Sequence, residues 1–226
     1  NGQSDPITIS GTRIDQLAPA AIVYDGTLGT LTIKGPNGDT NQTNYDITNT
    51  PTADTTLNTG NNGGMVTVEG TTGDLTIVNQ GLDAIKIGNG DTSSLNGMVT
   101  ITGASPSITI DDSSDSTGRS LQLSGSSIAA SLTGFPQSSA NLNYNPQELG
   151  HLDILGGSGA DTLTVDFTGG NPLPVQLTPT FGITPFDLTN NLDYNGGGGG
   201  DTLVLLGDPT AADNFAFDTE TYDATG

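Results

Sequence analysis

The chain has no cysteine and no tryptophan, a single histidine, and only four lysine and arginine residues among its 226. Without cysteine it can form neither disulfides nor thiolate metal sites, so redox compartment cannot be read from pairing. Four basic residues against 25 acidic ones give a formal net charge of −21. Such a surface repels a phosphate backbone and an anionic bilayer alike, which argues against nucleic acid as a partner. The apolar runs are a few residues long, far below the roughly 20 that a membrane-spanning helix needs, so membrane insertion is not expected either. Soluble multivalent cations are the natural counter-species, because repulsion among carboxylates falls when a metal sits between them.

Helical signals are lacking too. Thirty-three glycines and abundant Thr, Ser, Asn and Asp work against helices, and no stretch shows a 3.6-residue apolar period. The chain carries short two-residue alternation instead. In Thr30-Leu31-Thr32-Ile33, Met65-Val66-Thr67-Val68, Asp74-Leu75-Thr76-Ile77, Met98-Val99-Thr100-Ile101, Ser107-Ile108-Thr109-Ile110, His151-Leu152-Asp153-Ile154 and Thr162-Leu163-Thr164-Val165, two aliphatic side chains share one face. Polar residues, often Thr, take the other face, and glycine or a polar turn follows almost every segment.

These segments repeat. Gly64-Met65-Val66-Thr67-Val68-x-Gly70 returns 33 residues later as Gly97-Met98-Val99-Thr100-Ile101-x-Gly103, and Leu75-Thr76-Ile77 returns at the same offset as Ile108-Thr109-Ile110. Leu152-Asp153-Ile154 returns as Leu192-Asp193-Tyr194, 40 residues on. Strands recurring at this spacing predict an all-β chain: a right-handed parallel β-helix, or three-faced β-solenoid, of about 5–7 coils. Residues 1–226 then form one continuous body, with coils starting near Leu31, Val66, Val99, Leu152 and Leu192. The interval from Val99 to Leu152 is too long for one coil and predicts extra strands at Leu121–Leu123 and Asn141–Tyr144, or a protruding loop at Phe135-Pro136. An antiparallel sandwich is the competing fold, but hairpin signals are sparse. Both termini read as cuts through a longer repetitive chain.

Two glycine turns follow the 40-residue offset. Gly156-Gly157-Ser158-Gly159-Ala160-Asp161-Thr162-Leu163-Thr164 and Gly196-Gly197-Gly198-Gly199-Gly200-Asp201-Thr202-Leu203-Val204 both satisfy G-G-x-G-x-D-x-U-x. They resemble the calcium-binding turns of RTX-type proteins. The wider texture is similar to the long repetitive surface proteins of planctomycete-like bacteria. This resemblance implies a secreted or cell-surface, calcium-stabilised structural or adhesive segment. RTX arrays repeat every nine residues, whereas these turns lie 40 apart, so any ion site must be completed by a stacked coil.

The chemistry of calcium agrees with that reading. The ion takes about 6–8 oxygens from carboxylates, carbonyls and water, and glycine turns aim carbonyls at one point. The candidate metal ligands are the turns formed by Gly156, Gly157 and Gly159 with Asp161, and by Gly196, Gly197 and Gly199 with Asp201. Asp39 and Asp74, in Gly35-Pro36-Asn37-Gly38-Asp39 and Gly70-Thr71-Thr72-Gly73-Asp74, are degenerate versions of the same corner. Alternatively, the glycines only turn the chain and the aspartates face water. Asp111, Asp112 and Asp115, with Arg119 nearby, read as a solvated turn with a surface ion pair. His151 has outward strand parity. With no second histidine and no cysteine, a zinc site there is not expected.

Three functional readings follow. The leading one is a non-enzymatic structural or adhesive element, rigidified by calcium, able to associate end to end or with flanking repeats and to meet polysaccharide or matrix. The second is a carbohydrate- or surface-binding module using an outward Thr face (Thr32, Thr67, Thr76, Thr100, Thr109, Thr164). The third is a polysaccharide lyase or hydrolase with Asp153 and Asp193 as its carboxylate pair. Scarce aromatic and basic residues disfavour that last reading, and no catalytic residue is assigned.

Overall fold

The computed structural model describes residues 5–25, 28–37, 42–105, 107–174 and 192–207. Its strands, in chain order, are β1 (Ile7–Ile9), β2 (Arg13–Asp15), β3 (Ile22–Val23), β4 (Thr30–Lys34), β5 (Tyr45–Ile47) and β6 (Asp54–Asn58). Then come β7 (Met65–Val68), β8 (Leu75–Val78), β9 (Ala84–Ile87), β10 (Val99–Thr102), β11 (Ile108–Asp111) and β12 (Ser120–Ser126). The last are β13 (Ala129–Thr133), β14 (Leu142–Tyr144), β15 (Leu152–Leu155), β16 (Thr162–Asp166), β17 (Leu192–Asn195) and β18 (Thr202–Leu206). A short 3₁₀ turn at Pro146–Glu148 is the one helical element among the described residues.

The fold is all-β, built of two parallel-rich sheets of nine strands each. Sheet I runs β17-β15-β11-β9-β7-β5-β1-β2-β3 and sheet II runs β18-β16-β12-β13-β14-β10-β8-β6-β4. From β4 to β11 the chain alternates between the sheets strand by strand. From β6 on, each of these strands lies parallel to, and in register with, the one two places earlier. The two-residue period therefore becomes two inner faces. In sheet I, Tyr45, Val66, Ile85, Ile108 and Leu152 form one column, and Ile47, Val68, Ile87, Ile110 and Ile154 form another. In sheet II, Leu57, Ile77 and Ile101 stand in line. All belong to one buried cluster. Fully burying each aliphatic side chain contributes about 1.5–3 kcal/mol, which no single strand can secure alone. Leu31, Leu121 and Leu192 are only partly buried; Leu31 lies on β4 and Leu192 on β17, end strands of their sheets among the described residues.

Two features depart from the sequence reading. The described strands make two sheets and not three faces, and one circuit through both runs from Val66 to Ile85 and then to Ile108. That is far shorter than the 33 residues the Gly64–Gly97 repeat suggests, whereas Leu152 and Leu192 pair at the expected offset of 40. At the corners, neighbouring levels meet through lone parallel bridges such as Thr71↔Leu95 and Ser105↔Leu149, too short to make a third sheet. The repeated phrase thus falls on opposite sheets: Met65–Val68 is in sheet I, whereas Val99–Thr102 is in sheet II. Both inner faces need the same aliphatic pair, so the same words serve both.

The ladder is also not wholly parallel. The β1-β2-β3 run is antiparallel, and so is the β12-β13-β14 meander inserted into sheet II. The meander contains the two extra strands expected at Leu121–Leu123 and Asn141–Tyr144, and a third, β13, between them. Phe135 does not protrude; it packs in the core.

Corners inside the stack bury polar groups, and each must be satisfied. Thr50 and Thr71 do this in the same way. The Thr50 hydroxyl donates to Gly73 O at 2.9 Å and accepts the Thr72 and Gly73 N–H groups at 3.0 and 3.1 Å. The Thr71 hydroxyl donates to Gly97 O at 3.2 Å and accepts from Asn96 and Gly97 at 3.1 and 2.9 Å.

Asp83 is an exception. It is 1% exposed. Its backbone is matched by the Asn79 amide at 2.8 and 3.0 Å, yet its Oδ2 has no hydrogen-bond partner. Burial pushes its carboxyl above the usual range, against weaker opposing hydrogen bonds from Thr59, its own backbone and Gly81. A carboxyl raised in the folded state stabilises fully below its unfolded value, and that contribution is lost as pH rises through the folded value. Asp83→Asn therefore raises the melting temperature at pH 7 and changes it little near pH 4, which thermal unfolding in the two buffers measures.

Candidate functional site

The glycine corners stack. Gly156–Asp161 joins β15 to β16 and Gly196–Asp201 joins β17 to β18, and both strand pairs are parallel and in register (Leu155↔Asn195, Thr162↔Thr202). Between the corners, Gly156 N–H donates to Asn195 O at 2.7 Å, Gly198 N–H to Gly157 O at 2.8 Å and Thr202 N–H to Asp161 O at 2.8 Å. Glycine is required where the levels touch. Gly197 has φ +80°, and a Cβ there would stand 2.0 Å from Gly157 O. Gly199 has φ +107°, and its Cβ would stand 2.4 Å from Gly159 O.

The aspartates of these corners bind backbone. Asp161, 4% exposed, accepts Arg119 N–H on Oδ1 at 2.6 Å and Gly157 N–H on Oδ2 at 3.1 Å. Asp201 Oδ1 accepts Asp161 N–H at 2.8 Å. Each carboxylate thus caps the level beneath it. Asp74 uses the same chemistry before β8, where its Oδ1 accepts Met98 N–H at 2.8 Å. It stands apart from the Asp161 corner, since β10, β14, β13 and β12 lie between β8 and β16 in sheet II. Asp39 lies outside the described residues.

One further oxygen lies at this corner. Tyr194 takes the inward place opposite Ile154, and its hydroxyl is buried without a hydrogen-bond partner. Burial, reinforced by the Asp201 and Asp161 carboxylates, has its phenol pushed up to about 12. A small cavity is bounded here by Asp112, Arg119, Gly156, Asp161, Thr162 and Tyr194.

The Asp112–Asp115–Arg119 group is not a solvated turn. Arg119 is 14% exposed in its side chain. Its Nε donates to Asp112 Oδ2 at 3.0 Å, and its guanidinium also pairs with Asp115. Asp112 Oδ1 accepts both the N–H and the hydroxyl of Thr92, at 2.7 and 3.0 Å. Asp115 O accepts Ser158 N–H at 2.8 Å, which ties the cluster to the first glycine corner. Asp91 lies close enough to complete a three-carboxylate set with Asp112 and Asp115, but Arg119 pairs with two of them. Asp111 belongs elsewhere. Burial alone would raise its carboxyl, but hydrogen bonds from Lys86, at 2.7 Å, and Ser113 hold it below the usual carboxylate range. Only the Asp115-x-x-x-Arg119 spacing hinted at this network, because Thr92 is remote in sequence.

His151, expected as an unengaged surface residue, sits between two carboxylates. Its Nε2 is 2.8 Å from Asp153 Oδ1 and 3.3 Å from Asp193 Oδ2. The structure thus unites the two aspartates singled out as a carboxylate pair with the one histidine of the chain.

Comparison with known proteins finds no matching family model, no matching curated protein and no matching solved structure.

Two outcomes follow from this geometry. Gly197→Ala lowers stability by more than about 1–3 kcal/mol, because the strained φ of a non-glycine residue adds to a backbone clash; denaturant unfolding measures it. Arg119→Met leaves the buried Asp112 and the part-buried Asp115 carboxylates uncompensated and costs about 3–5 kcal/mol in the same assay.

Proposed function

We propose that this chain is a non-enzymatic structural or adhesive segment of a secreted or cell-surface protein, a right-handed β-solenoid whose glycine–aspartate corners are stabilised by calcium. The observation that carries this reading is the direct stacking of the Gly156–Asp161 corner on the Gly196–Asp201 corner, through Asp161 N–H to Asp201 Oδ1 at 2.8 Å. A continuous winding is supported by the strand-by-strand alternation between two sheets and by the strong preference of parallel crossovers for the right hand. With two sheets, the cross-section of such a solenoid is flattened.

Calcium is supported by what gathers at the upper corner. Two carboxylates and an unpartnered buried phenol oxygen lie together in a chain with net charge −21. Each carboxylate oxygen accepting one N–H keeps a lone pair free, so capping and ion binding are compatible. An ion that binds only the folded stack stabilises it by mass action. Assembly end to end, or onto flanking repeats, is supported by β17 and β18. Each is the last rung of its sheet among the described residues, and Leu203 and Leu206 are exposed on β18.

The test is thermal unfolding with millimolar calcium and with excess chelator. The expected result is a melting temperature several degrees higher in calcium, with the increment abolished in Asp201→Asn. Equal melting temperatures in the two buffers would refute the calcium part. Asp161→Asn lowers stability by about 1–3 kcal/mol even in chelator, because it replaces an acceptor of a buried N–H by a donor.

A second reading rests on one file of side chains. Thr32, Thr56, Thr76 and Thr100, followed by Asn143, stand in register across the outer face of sheet II. A regular row of hydroxyls suits an extended carbohydrate or mineral surface. Binding to a glycan array that is lost in Thr56→Lys/Thr76→Lys would favour this over the purely structural role.

A further inference from the structure

The outer face of sheet I carries a group of side chains that neither the stacking nor the corners account for. Asp153 on β15 and Asp193 on β17 are directly opposite in parallel register, one rung apart at about 4.8 Å. Like charges so placed repel. The Thr109 hydroxyl, from β11, donates to Asp153 Oδ2 at 3.1 Å, which leaves Oδ1 turned to the His151 ring. His151 Nε2, Asp153 Oδ1 and Asp193 Oδ2 lie within 4.8 Å of one another.

Four acids elsewhere have a basic side chain against them, and others, such as Asp74, Asp161 and Asp201, accept backbone N–H groups. Arg13 meets Asp15, Lys86 meets Asp111, and Arg119 meets Asp112 and Asp115. The pair Asp153 and Asp193 has no such partner among the described lysines and arginines; it has only the imidazole. Two carboxylates and an imidazole nitrogen converging on one point leave a place for positive charge that the chain itself does not fill with a permanent cation.

We propose that His151, Asp153 and Asp193 form a binding site for one divalent transition-metal ion of the zinc type. The donor set decides the class: an imidazole with carboxylates suits zinc and its neighbours, whereas calcium takes oxygen alone. The spacing suits it as well. Tetrahedral coordination at about 2.0–2.2 Å sets donor atoms roughly 3.3 Å apart. The present contacts of 2.8 and 3.3 Å reach that value with a few tenths of an ångström of side-chain movement. Thr109 orients Asp153 as an outer-shell partner does in metal sites. Three protein ligands on a solvent-facing strand surface leave the fourth position to water or to a donor from another molecule. Zinc was not expected from the sequence because no second histidine and no cysteine is present; here the other two ligands are carboxylates, and parallel register brings Asp193, 42 residues away in sequence, beside the ring. This site uses neither Asp161 nor Asp201, so it stands or falls separately from the calcium corners.

His151 is the only histidine, so the imidazole NMR signals of the protein come from this residue alone. Zinc chloride titrated into the full, chelator-stripped chain is expected to shift those signals and saturate at one equivalent. Calcium at the same concentration is expected to leave them in place. Asp193→Asn is expected to weaken zinc binding tenfold or more with unchanged circular dichroism, and Asp161→Asn to leave it unaltered. Imidazole signals unmoved by several equivalents of zinc, or an Asp193→Asn variant that binds as tightly as the parent, would overturn the proposal.

Discussion

Parallel, in-register stacking is the constraint on which everything else in this protein rests. A strand paired in parallel with its neighbour puts like positions over like positions, so each choice of side chain is repeated up the stack. For aliphatic residues the consequence is favourable: Val66, Ile85, Ile108 and Leu152 build one column from one register. For charged residues it is adverse, because Asp153 comes to lie over Asp193. The rest of the structure can be understood as ways of exploiting the first effect and containing the second.

The corners show how polar groups are contained. At several of the described corners, a side-chain oxygen accepts N–H groups that strand pairing leaves over. Thr50 and Thr71 do so with hydroxyls, and Asp74, Asp161 and Asp201 with carboxylates. Glycine is the necessary companion, since a Cβ at Gly197 would collide with the carbonyl of the level below. Shape and hydrogen bonding at the corners are therefore one requirement, and Gly-x-Asp is its shortest sequence expression.

That logic explains what could be read in advance. The aliphatic pairs were visible because a period of two names the buried face directly, and the 40-residue offset named the register that joins Asp153 to Asp193 and Thr162 to Thr202. The length of a circuit was hidden for the same reason the repeats were conspicuous: sheet I and sheet II use one phrase, so the repeat joins opposite sheets. The Arg119 cluster was hidden because its members come from three separate turns, those of Thr92, Asp112 and Ser158, which only the fold unites. His151 misled because strand parity alone placed it outside, and parity says nothing about what the next rung brings alongside.

The β12-β13-β14 meander has a geometric corollary. Between β10 and β18, sheet II advances through β14, β13, β12 and β16, whereas sheet I passes from β9 to β17 through β11 and β15 alone. Two surplus strands at about 4.8 Å each make one wall roughly 10 Å taller than the other over this stretch. Unequal walls would tilt the levels above against those below, and Phe135 and Arg119 line a small cavity in this stretch. A tandem series of such segments would then trace an arc, its radius set by how often the meander recurs.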